Sequence, residues 1–261
     1  MVGWEEWWQV LVAFAAAFGA GAVNAMAGGG TNLSFPTLLW LGLPAVSANA
    51  TNAVSLWPGT WGSAWGFRRE IRQARRWWYW LLLPALAGGG LGAFLLLHLP
   101  SRFFRSIAPW LVLGSTLLVA LEPALRKRLQ RHQERRSRTA RVLAFAGVFV
   151  IATYGGYFGA GLGIMLITAL GLLLGVEDVR VTTGFKNLLA VAIKGVAVGY
   201  FLFTGAVVWR AVLVMAVGAL SGGYTGGRLG HRIGERKLRW AIVLIGVIMA
   251  TVMFLRLIGG A

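Results

Sequence analysis

Two lysines stand where an apolar chain would least tolerate them. Lys186 and Lys194 fall within the apolar segment 181–204, and no acidic residue lies inside any apolar span to pair with either. A charge at the centre of a membrane helix costs at least about 2.5–3.5 kcal/mol, so it faces a partner or a cavity. An anion is the natural counter-charge for Lys186, which sits in the run Thr182-Thr183-Gly184-Phe185-Lys186-Asn187. Lys186 also lies only about two turns inside the segment, close enough for its ammonium to snorkel to the surface. Lys194 is deeper, and the direction it faces is not legible in the sequence.

Two glycine clusters point to the same chemistry. Gly28-Gly29-Gly30, followed by Thr31 and Asn32, precedes an apolar segment at 33–43; Gly159-Ala160-Gly161-Leu162-Gly163 precedes another at 164–175. At 1.5 Å per residue each segment reaches about 16–18 Å, half the hydrocarbon layer. A short helix after a glycine break is what a re-entrant or broken helix requires. Such a helix starts inside the membrane and turns unsatisfied N–H groups and partial positive charge toward the bilayer centre, a ready anion site. The plainer role of these glycines is tight helix packing. Asn49, Thr51, Asn52 and Ser55 follow the first short segment and would serve either as hydrogen-bond donors to an anion or as interhelical contacts. The candidate substrate-binding set is therefore Gly28, Gly29, Gly30, Thr31, Asn32, Thr51, Asn52, Gly159, Gly161, Gly163, Thr182, Thr183, Lys186 and Asn187.

Enzymatic readings find little footing. No HExxH or GxSxG motif is present, and no intramembrane Asp or Glu stands ready as an acid or base. His98 and His231 are too isolated for a metal site, and the chain contains no cysteine. No cofactor is expected, and without GxxxxGK[ST] neither is ATP-driven transport.

The elements that must hold these residues are membrane helices. The 261-residue chain is 57% hydrophobic and only 13% charged, about half the charge of a typical soluble domain. Charge-free windows long enough to cross a bilayer recur along it. Apolar segments fall at about 7–27, 33–43, 48–67, 78–97, 104–121, 142–160, 164–175, 181–204, 206–229 and 240–257. The net charge of +17 does not argue for nucleic acid, because the basic residues occupy short loops between spans. Lys and Arg so placed set orientation. Arg68 to Arg76, Arg126 to Arg141, and Arg228 to Arg239 form three basic clusters that should face the cytoplasm. Trp4, Trp7 and Trp8 read as an interfacial anchor.

Parity then shapes the topology. With residues 141 and 180 both inside, 142–175 enters and leaves on one face as a helical hairpin. A shift of 133 residues aligns Gly28 with Gly161, Gly30 with Gly163, and Gly42 with Gly175. It also aligns Gly62 with Gly195, Gly66 with Gly199, Gly89 and Gly90 with Gly222 and Gly223, and His98 with His231. The expected fold is all-α: a polytopic membrane protein of two inverted repeats, each a broken re-entrant hairpin plus three transmembrane helices. The repeats occupy 1–121 and 142–261, joined by a basic cytoplasmic linker at 122–141, with both termini extracytoplasmic. Segment 7–27, long enough to span by itself, fits this scheme least easily. Trp57, Trp61 and Trp65 form a stripe read as packing or lipid-facing surface, with Trp61 matched to Lys194 as a speculative cation–π partner. Gly218, Gly222, Gly226 and Gly230 form a ridge for close packing.

The chain also resembles a known family. Gly28-Gly29-Gly30-Thr31-Asn32-Leu33-Ser34-Phe35-Pro36-Thr37-Leu38-Leu39, Gly42-Leu43-Pro44 and Ala50-Thr51-Asn52 are similar to the first signature of the TauE/SafE sulfite exporters. Gly159 to Gly163, Thr183 to Asn187, Phe203 with Gly205, Gly222-Gly223 and Gly226 are similar to the second. The resemblance implies a plasma-membrane permease for sulfite, sulfonates or related organic acids, with the two glycine signatures and the Thr/Asn/Lys segments after them as substrate region. The Trp-rich span departs from the pattern, and Lys186 has Ala53 as its repeat partner. The partners expected are a small anionic substrate and the lipid bilayer. A secondary carrier that exports its anion, a passive anion channel, an uptake permease and a non-transporting membrane protein remain distinct readings, and a homodimer stays open.

Overall fold

In a computed structural model, residues 6–26, 29–73, 75–131, 138–174, 179–233 and 235–258 are described, and among them every regular element is a helix. Gly28 and Gly175, two of the glycines matched by the 133-residue shift, lie outside the described residues, as does Trp4. The helices are α1 (Trp7–Met26), α2 (Thr31–Trp40), α3 (Ala45–Gly66), α4 (Arg68–Gln73), α5 (Arg75–His98), α6 (Ser101–Arg131), α7 (Arg138–Tyr157), α8 (Leu162–Leu174), α9 (Val179–Leu202), α10 (Trp209–Ile233) and α11 (Glu235–Ile258). In hydrocarbon every backbone polar group must be bonded within its own segment, which is why long apolar runs become helices.

Glycine and proline set the boundaries. Gly29, Gly42, Gly159, Gly161 and Gly205 adopt positive φ, the left-handed region that glycine enters without steric penalty. Pro44 caps α3 in extended conformation. The segment 122–141, expected as a linker, is helical at both its ends, because nothing after Pro123 interrupts the pattern before Arg131. The first part of the basic cluster after α3 folds into a short helix, α4, which the hydropathy pattern did not indicate, and Arg75 and Arg76 open α5.

Among the described residues, five helices are long and apolar enough to cross a membrane: α1, α5, α6, α9 and α11. α3 and α10, expected as spans, are 22 and 25 residues long but fall outside this group. In α3 the reason is Asn49, Thr51, Asn52 and Ser55, all buried against protein rather than turned to lipid. α1, expected as a hairpin arm, is apolar enough to span. It nevertheless forms the hairpin, since the Trp8 and Trp40 rings meet edge-on at 5.8 Å and bring the end of α2 back to the start of α1.

Small residues allow the helices to touch. A Cβ on Gly218 would lie 2.7 Å from the Phe14 carbonyl oxygen, and one on Gly222 or Gly226 would run into Phe18 or Ala22. Gly218, Gly222 and Gly226 of the expected ridge thus seat α10 against α1, with both helices running in the same direction. Gly88 and Gly92 seat α5 against α7 in the same parallel manner, meeting Ala152 and Thr153. The pairs α1–α10 and α5–α7 exchange under the 133-residue shift, as do α3–α10 and α5–α9. α6 and α11 run antiparallel, joined by the Trp110–Phe254 contact at one end and the Glu122–Arg239 ion pair at the other. Outside, large apolar side chains such as Trp110, Leu213 and Leu244 are more than 60% exposed, a surface suited to lipid.

Candidate functional site

The two helix breaks are brought side by side. Phe35 of α2 meets Phe158, just past α7, with ring centroids 5.2 Å apart at nearly a right angle. Ser115 of α6 stands between the breaks. Its hydroxyl donates to Asn32 Oδ1 at 2.6 Å, and its side chain lies 3.5 Å from where a Cβ on Gly161 would be. Thr116 accepts a longer bond, 3.4 Å, from Asn32 Nδ2. A polar pair in the otherwise apolar middle of α6 thus anchors the start of α2.

Against this junction lies a small cavity between α2, α3, α7 and α9. Thr31, Asn49, Asn52, Gly156, Gly159 and Lys194 are among its lining residues. Lys194 is the cavity's cation, and among the described residues its ammonium has neither a hydrogen-bond nor an ion-pair partner. Asn49 donates Nδ2 to the Tyr157 carbonyl at 2.8 Å and keeps Oδ1 buried, without a partner among the described residues. The Asn52 carboxamide makes no hydrogen bond among the described residues, and its Oδ1 is buried. Buried polar atoms are nearly always bonded, so two unsatisfied amide oxygens on one cavity wall stand out.

The predicted residues divide into groups. Thr31, Asn52 and Gly159 line the cavity. Gly29 and Gly30 are buried at the turn into α2, where the Gly30 N–H donates to Asn24 Oδ1 and a Cβ would collide with Ala20. Asn32 is tied to α6, and Thr51 Oγ1 accepts the Val208 N–H at 3.0 Å, so neither lines the cavity. Gly161 packs on α6, while Gly163 opens α8 beside Lys186, whose ammonium lies 3.6 Å from the position of a Cβ there. Only Ile164 and Met165 return N–H bonds to Gly161, leaving those of Leu162 and Gly163 without a backbone acceptor among the described residues. Thr182, Thr183 and Asn187 share the first turns of α9 with Lys186, near α4, and do not reach the cavity. Gly184 in that stretch packs against Glu70 and Phe67. Gly28 lies outside the described residues.

Sequence reasoning favoured Lys186 and left Lys194 undirected; the cavity contains Lys194. It noted Asn49 without selecting it, although Asn49 and Asn52 are three apart and so share a helix face. Ser115 and Thr116 went unremarked, their signal being an adjacent polar pair inside an apolar span. Trp61 does not meet Lys194: it is 53% exposed, and Trp57 takes the inner position, donating Nε1 to the Val191 carbonyl beside Gly195.

Comparison with known proteins agrees with the helical membrane architecture. The family model described as "Sulfite exporter TauE/SafE" matches residues 13–253. "Probable membrane transporter protein ORF9" of a Sinorhizobium species is 29% identical over 237 residues, covering 91% of this chain and 89% of that protein. A "probable membrane transporter protein" of Haemophilus influenzae is 26% identical over 251 residues, 93% of each chain. "Probable membrane transporter protein YfcA" of Escherichia coli is 29% identical over 241 residues, 92% of this chain and 87% of that protein. No solved structure matches the chain.

Proposed function

The chain belongs to the TauE/SafE family of multi-pass membrane transporters, and on that premise we propose that it is a secondary carrier, exporting a small sulfur-containing or organic anion such as sulfite or a sulfonate. The observation that carries the reading is Lys194, an ammonium in the interior cavity with no protein counter-charge among the described residues. An anion entering the cavity would supply that charge, with the Thr31 hydroxyl and the Asn52 amide as further donors. Lys186 at the start of α8 forms a second, outer station, where a helix N-terminus and an ammonium both favour negative charge. Thr182, Thr183 and Asn187 belong to that outer station, and Gly161 and Gly163 shape it.

The halves 1–121 and 142–261 are read as inverted repeats, a plan in which substrate sites lie near the membrane midplane where broken helices meet. The exchange of packing partners under the 133-residue shift supports this. With the three basic clusters cytoplasmic, both termini of the plasma-membrane protein lie outside and Lys186 lies on the cytoplasmic side.

The test is anion-dependent thermal stabilisation of the purified protein, since a ligand bound only by the native state raises its apparent stability. Sulfite, sulfoacetate, sulfate and acetate are compared on wild type, Lys194→Gln and Lys186→Ala. Stabilisation by a sulfur anion that Lys194→Gln abolishes is the expected result. Stabilisation that survives in both variants would remove the lysines from the site. None up to millimolar anion would overturn the anion reading.

A further inference from the structure

Resting on the anion reading above, we infer that the cavity selects anions that carry a hydrogen-bond donor of their own, such as a protonated acid oxygen or a hydroxyl, over anions that only accept. The argument starts from the Asn49 carboxamide, which is 2% exposed. Its orientation is set, because Nδ2 donates to the Tyr157 carbonyl at 2.8 Å and the flipped amide would place two acceptors together. Oδ1 is therefore an acceptor, and among the described residues it has no partner. Asn52 lies one helical turn away on the same wall, also 2% exposed, and its carboxamide, without a hydrogen bond among the described residues, is free to turn either its oxygen or its N–H to a ligand.

An anion presenting only lone pairs would answer Lys194, the Thr31 hydroxyl and the Asn52 amide N–H and leave Asn49 Oδ1 unsatisfied. Leaving a buried acceptor unpaired forfeits more than an ordinary hydrogen bond contributes. An anion with one acidic or hydroxyl hydrogen answers both kinds of group at once: its charged oxygens accept from Lys194 while its O–H donates to Asn49 Oδ1. Sites built to bond a ligand O–H reject analogues lacking it more strongly than apolar pockets reject an extra methylene. Hydrogensulfite, hydroxy acids and hydroxysulfonates form the favoured class; fully deprotonated sulfite and alkylsulfonates form the disfavoured one.

Matched pairs of equal charge and similar size test this on the purified protein: glycolate against propionate, and 2-hydroxyethanesulfonate against propane-1-sulfonate. No member of either pair changes protonation near neutral pH, so the comparison does not depend on titration of the protein. The donor-bearing member should bind about three- to tenfold tighter in wild type, as one additional hydrogen bond predicts. Asn49→Leu should bring that ratio toward one, and Lys194→Gln should weaken both members together. Equal binding within each pair, still dependent on Lys194, would overturn the donor preference and leave the anion site standing. Failure of all four ligands would instead overturn the anion reading beneath it. The wild-type ratio decides the matter even if the Asn49 variant does not fold.

Discussion

Asn32 and Ser115, 83 residues apart in sequence, share a buried 2.6 Å hydrogen bond that fastens the first helix break to the middle of α6. The same serine abuts Gly161, so one residue positions both breaks. Ser115→Ala should leave the Asn32 amide oxygen unbonded and cost about 1–3 kcal/mol. Asn32→Leu added to it should cost less than the sum of the two single changes, because partners in one bond couple. Denaturation of the detergent-solubilised variants measures this, and full additivity would show the bond to be incidental.

The glycines matched by the 133-residue shift are not equivalent. Gly222→Val should destabilise the α1–α10 contact by about 1–3 kcal/mol or more, since the new side chain meets the Phe18 backbone. Gly89→Val should do the same against Ile193. Gly62→Ala and Gly66→Ala face open space and should be neutral or mildly stabilising. Yield and thermal stability across the four variants check the contrast; a destabilised Gly62→Ala would mean that another surface covers that face.

Arg239 and Glu122 pair at 3.0 Å between α11 and α6, with side chains 16% and 19% exposed. Because the pair is not fully desolvated, Glu122→Gln should cost only about 1 kcal/mol. The exchanged pair Glu122→Arg with Arg239→Glu should restore part of it. Added salt should narrow the difference between wild type and Glu122→Gln, and salt-independent loss would point to packing instead.

The hairpin and the orientation can be separated experimentally in this cysteine-free chain. Trp8→Cys with Trp40→Cys should be joined by a short bifunctional thiol reagent, because the native rings are 5.8 Å apart. Trp7→Cys should react with an impermeant maleimide added outside intact cells, and Arg68→Cys only after permeabilisation. Reversed labelling would invert the topology while leaving the hairpin intact.

Much of this architecture was legible in the order of residues. The ten apolar segments correspond to ten of the eleven helices among the described residues because hydropathy and chain length are local properties and the bilayer imposes one length scale. The ridge on α10 was legible because a four-residue glycine spacing can build only one kind of face. The presence of two intramembrane lysines was legible too, since a cation inside an apolar run is visible in the residue order.

Tertiary structure alone decided which of those residues meet. A helix such as α9 carries lysines eight apart that point in different directions, and only its neighbours determine which one faces a cavity: Lys194 meets the end of α7, Lys186 the start of α8. Asn49 and Thr51 are two residues apart, yet one lines the cavity and the other is taken by the Val208 N–H 157 residues away. Local sequence states that a polar group must be satisfied. Which group satisfies it, and which stays without a protein partner, is a long-range matter of packing.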